Sequence, residues 1–492
     1  MARGAVIDKY LARYAADESA AASAIGAASG DGYEHVCVIP AMAESAELLA
    51  GVSGPRTRGR WLCVVVVNAP EDASASVYAQ NRALLADLRA AGASAISVPA
   101  PAPMFLSRPP AAPDSGPDVL VIDRSSPGHR LPAKQGVGLA RRIGGDVALA
   151  LIAAGTVRSR WIHMTDADVT LPDDYFEATA RAPAGAVAAT YRFWHEDCGD
   201  PLVDTATGLY EVYLRYHRLG LLWAGSPYRW HTIGSTLAVT ADAYAAVRGV
   251  PRRSAGEDFY LVDKLVKLGQ LFEPATAPIS IRARRSDRVP FGTGAATNTL
   301  TAGLADERPY CVYHPRVYAL LRAWLGALRA LASAPGATAA ATESPRDAHV
   351  DGALRSPALT AALRRSSAAS EDPITDAEVQ RLTAALCALG APAAVRAARA
   401  QVRPGSARER RLMGWFDGYR TFKLIHALRD SGWPSVPWQR ALEDAPFSPA
   451  LPPQLAPDDG AGPAGDPHAG LRERLRRLRQ ALMAEEQRAG AQ

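Results

Sequence analysis

From residue 33 to about residue 170 the chain alternates short, mainly apolar runs with longer segments in which apolar residues recur every three or four positions. The runs are YEHVCVIP (33–40), WLCVVVV (61–67), VLVIDRSS (119–126) and WIHMTDADVTLP (161–172). A short apolar run bounded by turn residues predicts a strand buried on both faces, and the intervening 3.6-residue periods predict helices. These helices fall in AMAESAELLAGV, SVYAQNRALLADLRAAGA and the long segment PGHRLPAKQGVGLARRIGGDVALALIAAG. Strand and helix in strict alternation predict an α/β fold, with a doubly wound and mostly parallel sheet joined by right-handed crossovers. The Pro/Ala-rich stretch VPAPAPMFLSRPPAAPDSGPD interrupts the rhythm and reads as a surface loop.

Downstream, AVAATYRFWH predicts one strand, and DTATGLYEVYLRYHRLGLLWAG a helix rich in aromatic residues. STLAVTADAYAAV reads as a strand turning into a short helix, GEDFYLVDKLVKLG as a helix, and PISIRARRSDRVPFGTGAA as a strand running into a basic loop. The pattern divides the chain into an N-terminal helix (1–30), an α/β domain (31–331), an Ala/Ser/Pro-rich flexible linker (332–372), a small helical domain (373–444) and a flexible tail with a terminal charged helix (445–492). The C-terminal region is therefore expected to be all-α.

Composition narrows the function. With 48% hydrophobic and 21% charged residues the chain reads as a soluble globular protein, and no apolar run approaches the ~20 residues of a membrane span. The formal charge of +5 is small for 492 residues and implies no nucleic acid partner. Five scattered cysteines without CxxC spacing predict reduced thiols and no zinc site, as in a cytoplasmic protein. The N-terminus mixes acids and bases along a helical period and reads as no signal peptide. The arginines of LRERLRRLRQALMAEEQ allow peripheral contact with an anionic membrane face, although a mixed-charge helix more commonly presents them to water.

The candidate chemistry lies where the strands end. In open α/β sheets ligands sit in the crevice beyond the strands' carboxyl ends, so residues 40–44, 68–72, 123–134 and 166–168 should converge. Asp166 and Asp168, one residue apart at such an edge, suit a hard divalent cation, Mg²⁺ or Mn²⁺, which binds through oxygen while gripping a diphosphate. Glu257 and Asp258 open a helix, where acids are favoured by the dipole alone. Lys134 and Arg141, before and inside the long helix, are candidates for phosphate, and Arg284, Arg285 and Arg288 sit in a loop with Gly292 and Gly294 that could cover it. Asn68 and Asp123 follow the second and third strands, where ordinary turn chemistry is the competing reading.

Five segments in order, VIPAMAES, AKQGVGLARRIG, TDADV, GSTLAVTADAY and GEDFYL, make residues 33 to about 315 resemble a family-2 glycosyltransferase of the GT-A fold. The resemblance implies transfer of a sugar from a nucleoside diphosphate (UDP-, GDP- or dTDP-linked) to an acceptor hydroxyl. It implies that Pro40, Ala41 and Glu44 meet the nucleoside, that Asp168 ligates the cation with Asp166 nearer the sugar or ribose, and that Asp258, beside Glu257, is the base of an inverting reaction. It also implies a downstream third ligand, for which His314 is the first candidate and His231 the second. The family's Asp-Asp-x-Ser at the second strand is replaced here by Asn68-Ala69-Pro70-Glu71-Asp72, which leaves base recognition open. The rival readings are a retaining transferase of the same fold with a glycerate-type acceptor, a nucleotidyltransferase, and a non-catalytic nucleotide-sugar-binding scaffold.

Overall fold

A computed structural model describes residues 3–57, 59–92, 94–108, 116–286, 292–334, 349–350, 353–354, 356–368, 372–449 and 468–490. The chain forms two compact units, one of residues 1–199 with 232–298 and one of 200–231 with 299–492.

Among the described residues the first unit has twelve strands: β1 His35–Ala41, β2 Trp61–Asn68, β3 Ser94–Val98, β4 Met104–Arg108, β5 Asp118–Arg124, β6 Trp161–Met164, β7 Val169–Thr170, β8 Ala186–Thr190, β9 Phe193–Glu196, β10 Leu237–Thr240, β11 Gln270–Phe272 and β12 Ile279–Arg282. Nine of them form one sheet in the order β11-β8-β10-β6-β1-β2-β5-β4-β3. The four apolar runs become its parallel centre, β6-β1-β2-β5. Every residue of β2 is buried, as a β-branched run covered on both faces must be. The fold is thus α/β, but the sheet is mixed: β10 runs antiparallel to both β6 and β8, and β4 antiparallel to β5 and β3.

Two expectations change. The Pro-rich stretch holds β4, whose Met104, Phe105 and Leu106 are buried against β5. Prolines flank this run and none lies inside it, so its ladder loses no N–H donor. AVAATYRFWH is two strands, not one: β8 joins the large sheet, while β9 pairs with β12 in a three-stranded sheet ordered β7-β12-β9.

The helix Val137–Ala153 lies on β1 and β2 and is buried from Gly138 to Leu151. Its glycines set that approach. A Cβ on Gly144 would come within 2.3 Å of Val38 Cγ1, a stiff β-branched side chain of β1. On its outer side, buried Asp146 accepts from Tyr10 Oη at 2.7 Å, Tyr244 Oη at 2.8 Å and Ala16 N at 2.8 Å, which holds the N-terminal helix Arg3–Arg13 and the turn after it in place.

The second unit is helical. Helices Pro201–Trp223, Arg316–Ser333, Pro357–Ala368, Asp376–Ala388, Gly418–Ser431 and Ala469–Gly490 share one core around Trp324, Tyr318, Leu363, Leu382, Leu424 and Leu478. Expected linker residues 335–348 and tail residues 450–467 lie outside the described residues. The terminal helix is not a solvated charged rod. It packs on Pro201–Trp223 through Leu475, Leu478 and Leu482 and buries part of its charge. Glu486 meets Arg215 Nη1 at 2.8 Å and His231 Nε2 at 2.8 Å, Arg215 also holds Glu211 at 2.8 Å, and Arg479 reaches Glu211 at 3.3 Å. A mixed-charge helix conceals such an arrangement in sequence, because its charges only pair across elements after folding.

Cys37 and Cys63 are free thiols buried in the sheet, and among the described residues no helix is long and apolar enough to cross a membrane. Because Glu486 compensates buried cations, Glu486→Ala should cost the fold about 3–5 kcal/mol. Urea unfolding of wild type and variant measures it, and a change below ~1 kcal/mol would mean that the buried network is not a stabilising tie.

Candidate functional site

Three strand-end loops in the first unit are fastened together by one helix side chain. The helix Ala75–Ala90 buries Asn81, Leu84 and Leu88 on one stripe. Asn81 Oδ1 accepts Ala43 N (2.8 Å) after β1, while its Nδ2 donates to Asn68 O (2.9 Å) after β2 and to Ser125 Oγ (2.8 Å) after β5. Sequence reasoning missed Asn81, although an amide within an apolar helical stripe was the signal. Asn68 and Asp123, expected at the nucleotide, do local work: Asn68 Nδ2 donates to Ala41 O and Val66 O, and Asp123 Oδ1 accepts from the N–H groups of Ser125 and Ser126. The departure at Ala69-Pro70-Glu71 also has a structural reason. Its backbone pairs with Arg124 and Leu131, so the β2 and β5 loops zip together.

The Asp166–Asp168 segment leaves β6 under equally firm control. Thr165 donates its N–H to Val38 O at 3.0 Å and its hydroxyl to Ser235 O at 2.9 Å, and Asp168 O accepts from Arg282 N at 2.9 Å. Behind it stands Arg141, 2% exposed. Its Nη2 donates to Asp166 Oδ1 (2.8 Å), Nε to Glu257 Oε1 (3.2 Å), and Nη1 to the carbonyls of Gly234 (3.1 Å) and Thr165 (3.3 Å). Gly234 is required by this packing, since a Cβ there would lie 2.5 Å from Arg141 Nη2. Arg141, expected at phosphate, is engaged here by these four partners. It is a buried clamp that sets Asp166 and the Glu257 helix relative to each other.

The helix Glu257–Leu268 starts after Gly256, whose φ of 71° needs glycine. Neither acid caps the helix in the usual sense: Glu257 points in to Arg141, while Asp258, half-buried, accepts the N–H of Phe259 at 2.7 Å. On the other side of Asp168, Arg284 Nη2 lies 2.7 Å from Asp168 Oδ2 and 3.0 Å from Glu44 Oε1. Five carboxylates (Glu44, Asp166, Asp168, Glu257, Asp258) thus surround two guanidiniums.

That excess of negative charge has consequences for protonation. Burial, augmented by Glu257, pushes Asp258 up to about 7. Burial also lifts Asp168 to about 6; Arg284 opposes the shift, and Asp166 and Glu44 add to it. Glu44 is likewise raised by burial against the pull of Arg284. Burial alone would lower Arg141, but Asp166 and Glu257 more than offset it and keep the guanidinium charged. Carboxyls raised by desolvation and like charge, grouped at strand ends, are typical of functional sites.

The remaining expected residues are placed as follows. Pro40 and Ala41 are buried in β1. Lys134 is exposed, with its backbone in the left-handed region at φ 67°. Arg285 is exposed and Arg288 lies outside the described residues. His314 and His231 belong to the second unit, where His314 Nδ1 accepts Arg316 N at 3.0 Å and His231 Nε2 pairs with Glu486. One ring nitrogen of each histidine is thus engaged locally. Among the described residues no group of three or more His, Cys, Asp or Glu side chains is arranged to hold a metal ion. The fit to a divalent cation rests instead on donor chemistry. Asp166 and Asp168 offer oxygen in a site with surplus negative charge, and Asp168's present partner is a cation.

No protein-family model and no curated protein matches this chain. Among solved structures, glucosyl-3-phosphoglycerate synthase from Mycobacterium tuberculosis, in complex with Mn²⁺, uridine diphosphate and glucosyl-3-phosphoglycerate, aligns at 12% identity and a TM-score of 0.29 over 59% of this chain and 88% of that one. A structure described as a mycobacterial protein aligns at 14% identity and a TM-score of 0.29, over 59% and 82%. The same synthase with phosphoglyceric acid aligns at 13% identity and 0.28, over 59% and 85%.

The raised Asp258 carboxyl makes stability depend on pH with a definite sign. Between the ordinary aspartate value and about 7 the folded chain keeps a proton that the unfolded chain has lost, so raising pH through that window destabilises the fold. Asp258→Asn should therefore melt above wild type at about pH 8, with the gap closing towards about pH 4. Melting curves across this range check it; a variant less stable than wild type at the alkaline end would contradict the raised value.

Proposed function

We propose that this chain is a metal-dependent glycosyltransferase that moves a sugar from a nucleoside diphosphate to an acceptor hydroxyl with inversion at the anomeric carbon. The observation that carries the proposal is the joining of two acidic pairs through one buried arginine. Asp166, beside the cation candidate Asp168, and Glu257, beside Asp258, both hold Arg141. The order of the sequence motifs supports the same reading.

In this proposal Asp168, with Asp166, holds Mg²⁺ or Mn²⁺, which when bound offsets charge on the departing diphosphate. Lys134, exposed before the Val137–Ala153 helix, meets phosphate oxygen, and Glu44 with the β1 end faces the nucleoside. Arg141 fixes Asp166 and, through Glu257, the first turn of the helix that carries Asp258. Asp258 takes the acceptor's hydroxyl proton as the acceptor oxygen bonds to the anomeric carbon. The sugar's bond to the diphosphate breaks, and its electron pair leaves with phosphate oxygen. A base serves best when its pKa lies near working pH, and burial moves Asp258 there.

The rate is expected to rise with unit slope through about pH 7 and then level off. Asp258→Asn should lose roughly 10²–10⁴-fold in transfer while still binding donor, and should flatten the profile. Product anomeric configuration by NMR reads the stereochemistry: inversion is expected. Retention would remove the base role, and an unchanged rate in Asp258→Asn would remove Asp258 from the chemistry altogether.

A further inference from the structure

Arg284 joins two carboxylates that come from different loops. Its Nη1 and Nη2 grip Glu44 at 3.3 Å and 3.0 Å, and Nη2 also stands 2.7 Å from Asp168 Oδ2. The geometry is anchored at its base, because Arg282, two residues earlier, donates its backbone N–H to the carbonyl of Asp168 itself. The ion pairs are open to solvent on one side: the side chains of Arg284, Glu44 and Asp168 are 30%, 14% and 16% exposed.

A guanidinium and a divalent cation compete for Asp168. The guanidinium takes a carboxylate lone pair that a metal would use, and its charge at a few ångströms repels the incoming ion. Charge balance favours exchange: Arg141 is committed to Asp166, which leaves Glu44 and Asp168 as two carboxylates that Arg284's single charge offsets less completely than a divalent ion does. We propose that Arg284 is an autoinhibitory contact: held by Glu44, it stands in for the cation on Asp168, and the arriving divalent ion expels it. Arg284 then becomes free to meet the diphosphate only once the cation is seated, so cation binding precedes productive donor binding. This inference rests on the assignment of Asp168 as a cation ligand.

The test is Mn²⁺ alone, added to the full chain, with free Mn²⁺ followed by electron paramagnetic resonance. Removing a competitor raises affinity, whereas removing a structural support lowers it. Arg284→Ala should bind Mn²⁺ roughly ten-fold more tightly than wild type, in the range of ordinary coupling between sites. Arg284→Gln, which keeps hydrogen-bonding groups but no charge, should tighten binding as well and secures the comparison if the alanine variant does not fold; circular dichroism establishes which variants fold. Asp168→Asn placed on either variant should abolish the gain. Mn²⁺ affinity equal to or below wild type in a folded Arg284 variant would overturn the inference and leave the cation site standing. No Mn²⁺ binding by wild type or any variant would overturn both.

Discussion

The first unit's site depends on one buried guanidinium. Arg141 is almost wholly removed from water, and a cation in that position is tolerable only when its donors are met by charge and by carbonyl oxygen. Asp166, Glu257, Gly234 O and Thr165 O meet them. The cost of burial thereby becomes a constraint on geometry. The end of β6, the turn before β10 and the first turn of the Glu257 helix cannot move independently without stranding a charge. A glycine at 234 leaves the space, and glycines within the Val137–Ala153 helix bring Arg141 close enough to the sheet to reach it.

Around that fixed point the two arginines divide the work. Arg141 is buried and permanently charged, and it sets positions. Arg284 is partly exposed and holds its acids from the solvent side, where an exchange of partners is feasible. Burial raises Asp168, Asp258 and Glu44, and like charge from neighbouring carboxylates adds to the shift. A fold does not gain stability from such an arrangement. It gains a place where a cation or a proton is held more readily than in water, and burial raises both Asp258 and Asp168 above the ordinary carboxylate range.

Much of this was legible in the sequence, and the rest was hidden for physical reasons. Buried parallel strands announce themselves as continuous apolar runs, so β1, β2, β5 and β6 were readable, as were the acids that follow β6 and open the Glu257 helix. The strand β4 was hidden because flanking prolines outweighed a short Met-Phe-Leu run, and β8 and β9 were merged because no glycine or proline marks the change of sheet at Tyr191-Arg192. Arg141 looked like a phosphate ligand because sequence shows charge but not burial. Asn81 passed unnoticed for the converse reason: its value lies in joining Ala43, Asn68 and Ser125, which are far apart in the chain. The terminal helix was misread as solvated because its compensating charges, Arg215, Glu211 and His231, lie more than 250 residues earlier in the chain.

The central claim is that this surplus of carboxylate charge serves a nucleotide sugar and its cation. The most direct measurement is a thermal-shift screen of UDP-, GDP- and dTDP-sugars against the full chain, with and without Mn²⁺, since a ligand that binds the native state raises its melting temperature. The account predicts a rise with at least one donor that requires Mn²⁺. No rise with any donor in the presence of Mn²⁺ would contradict it.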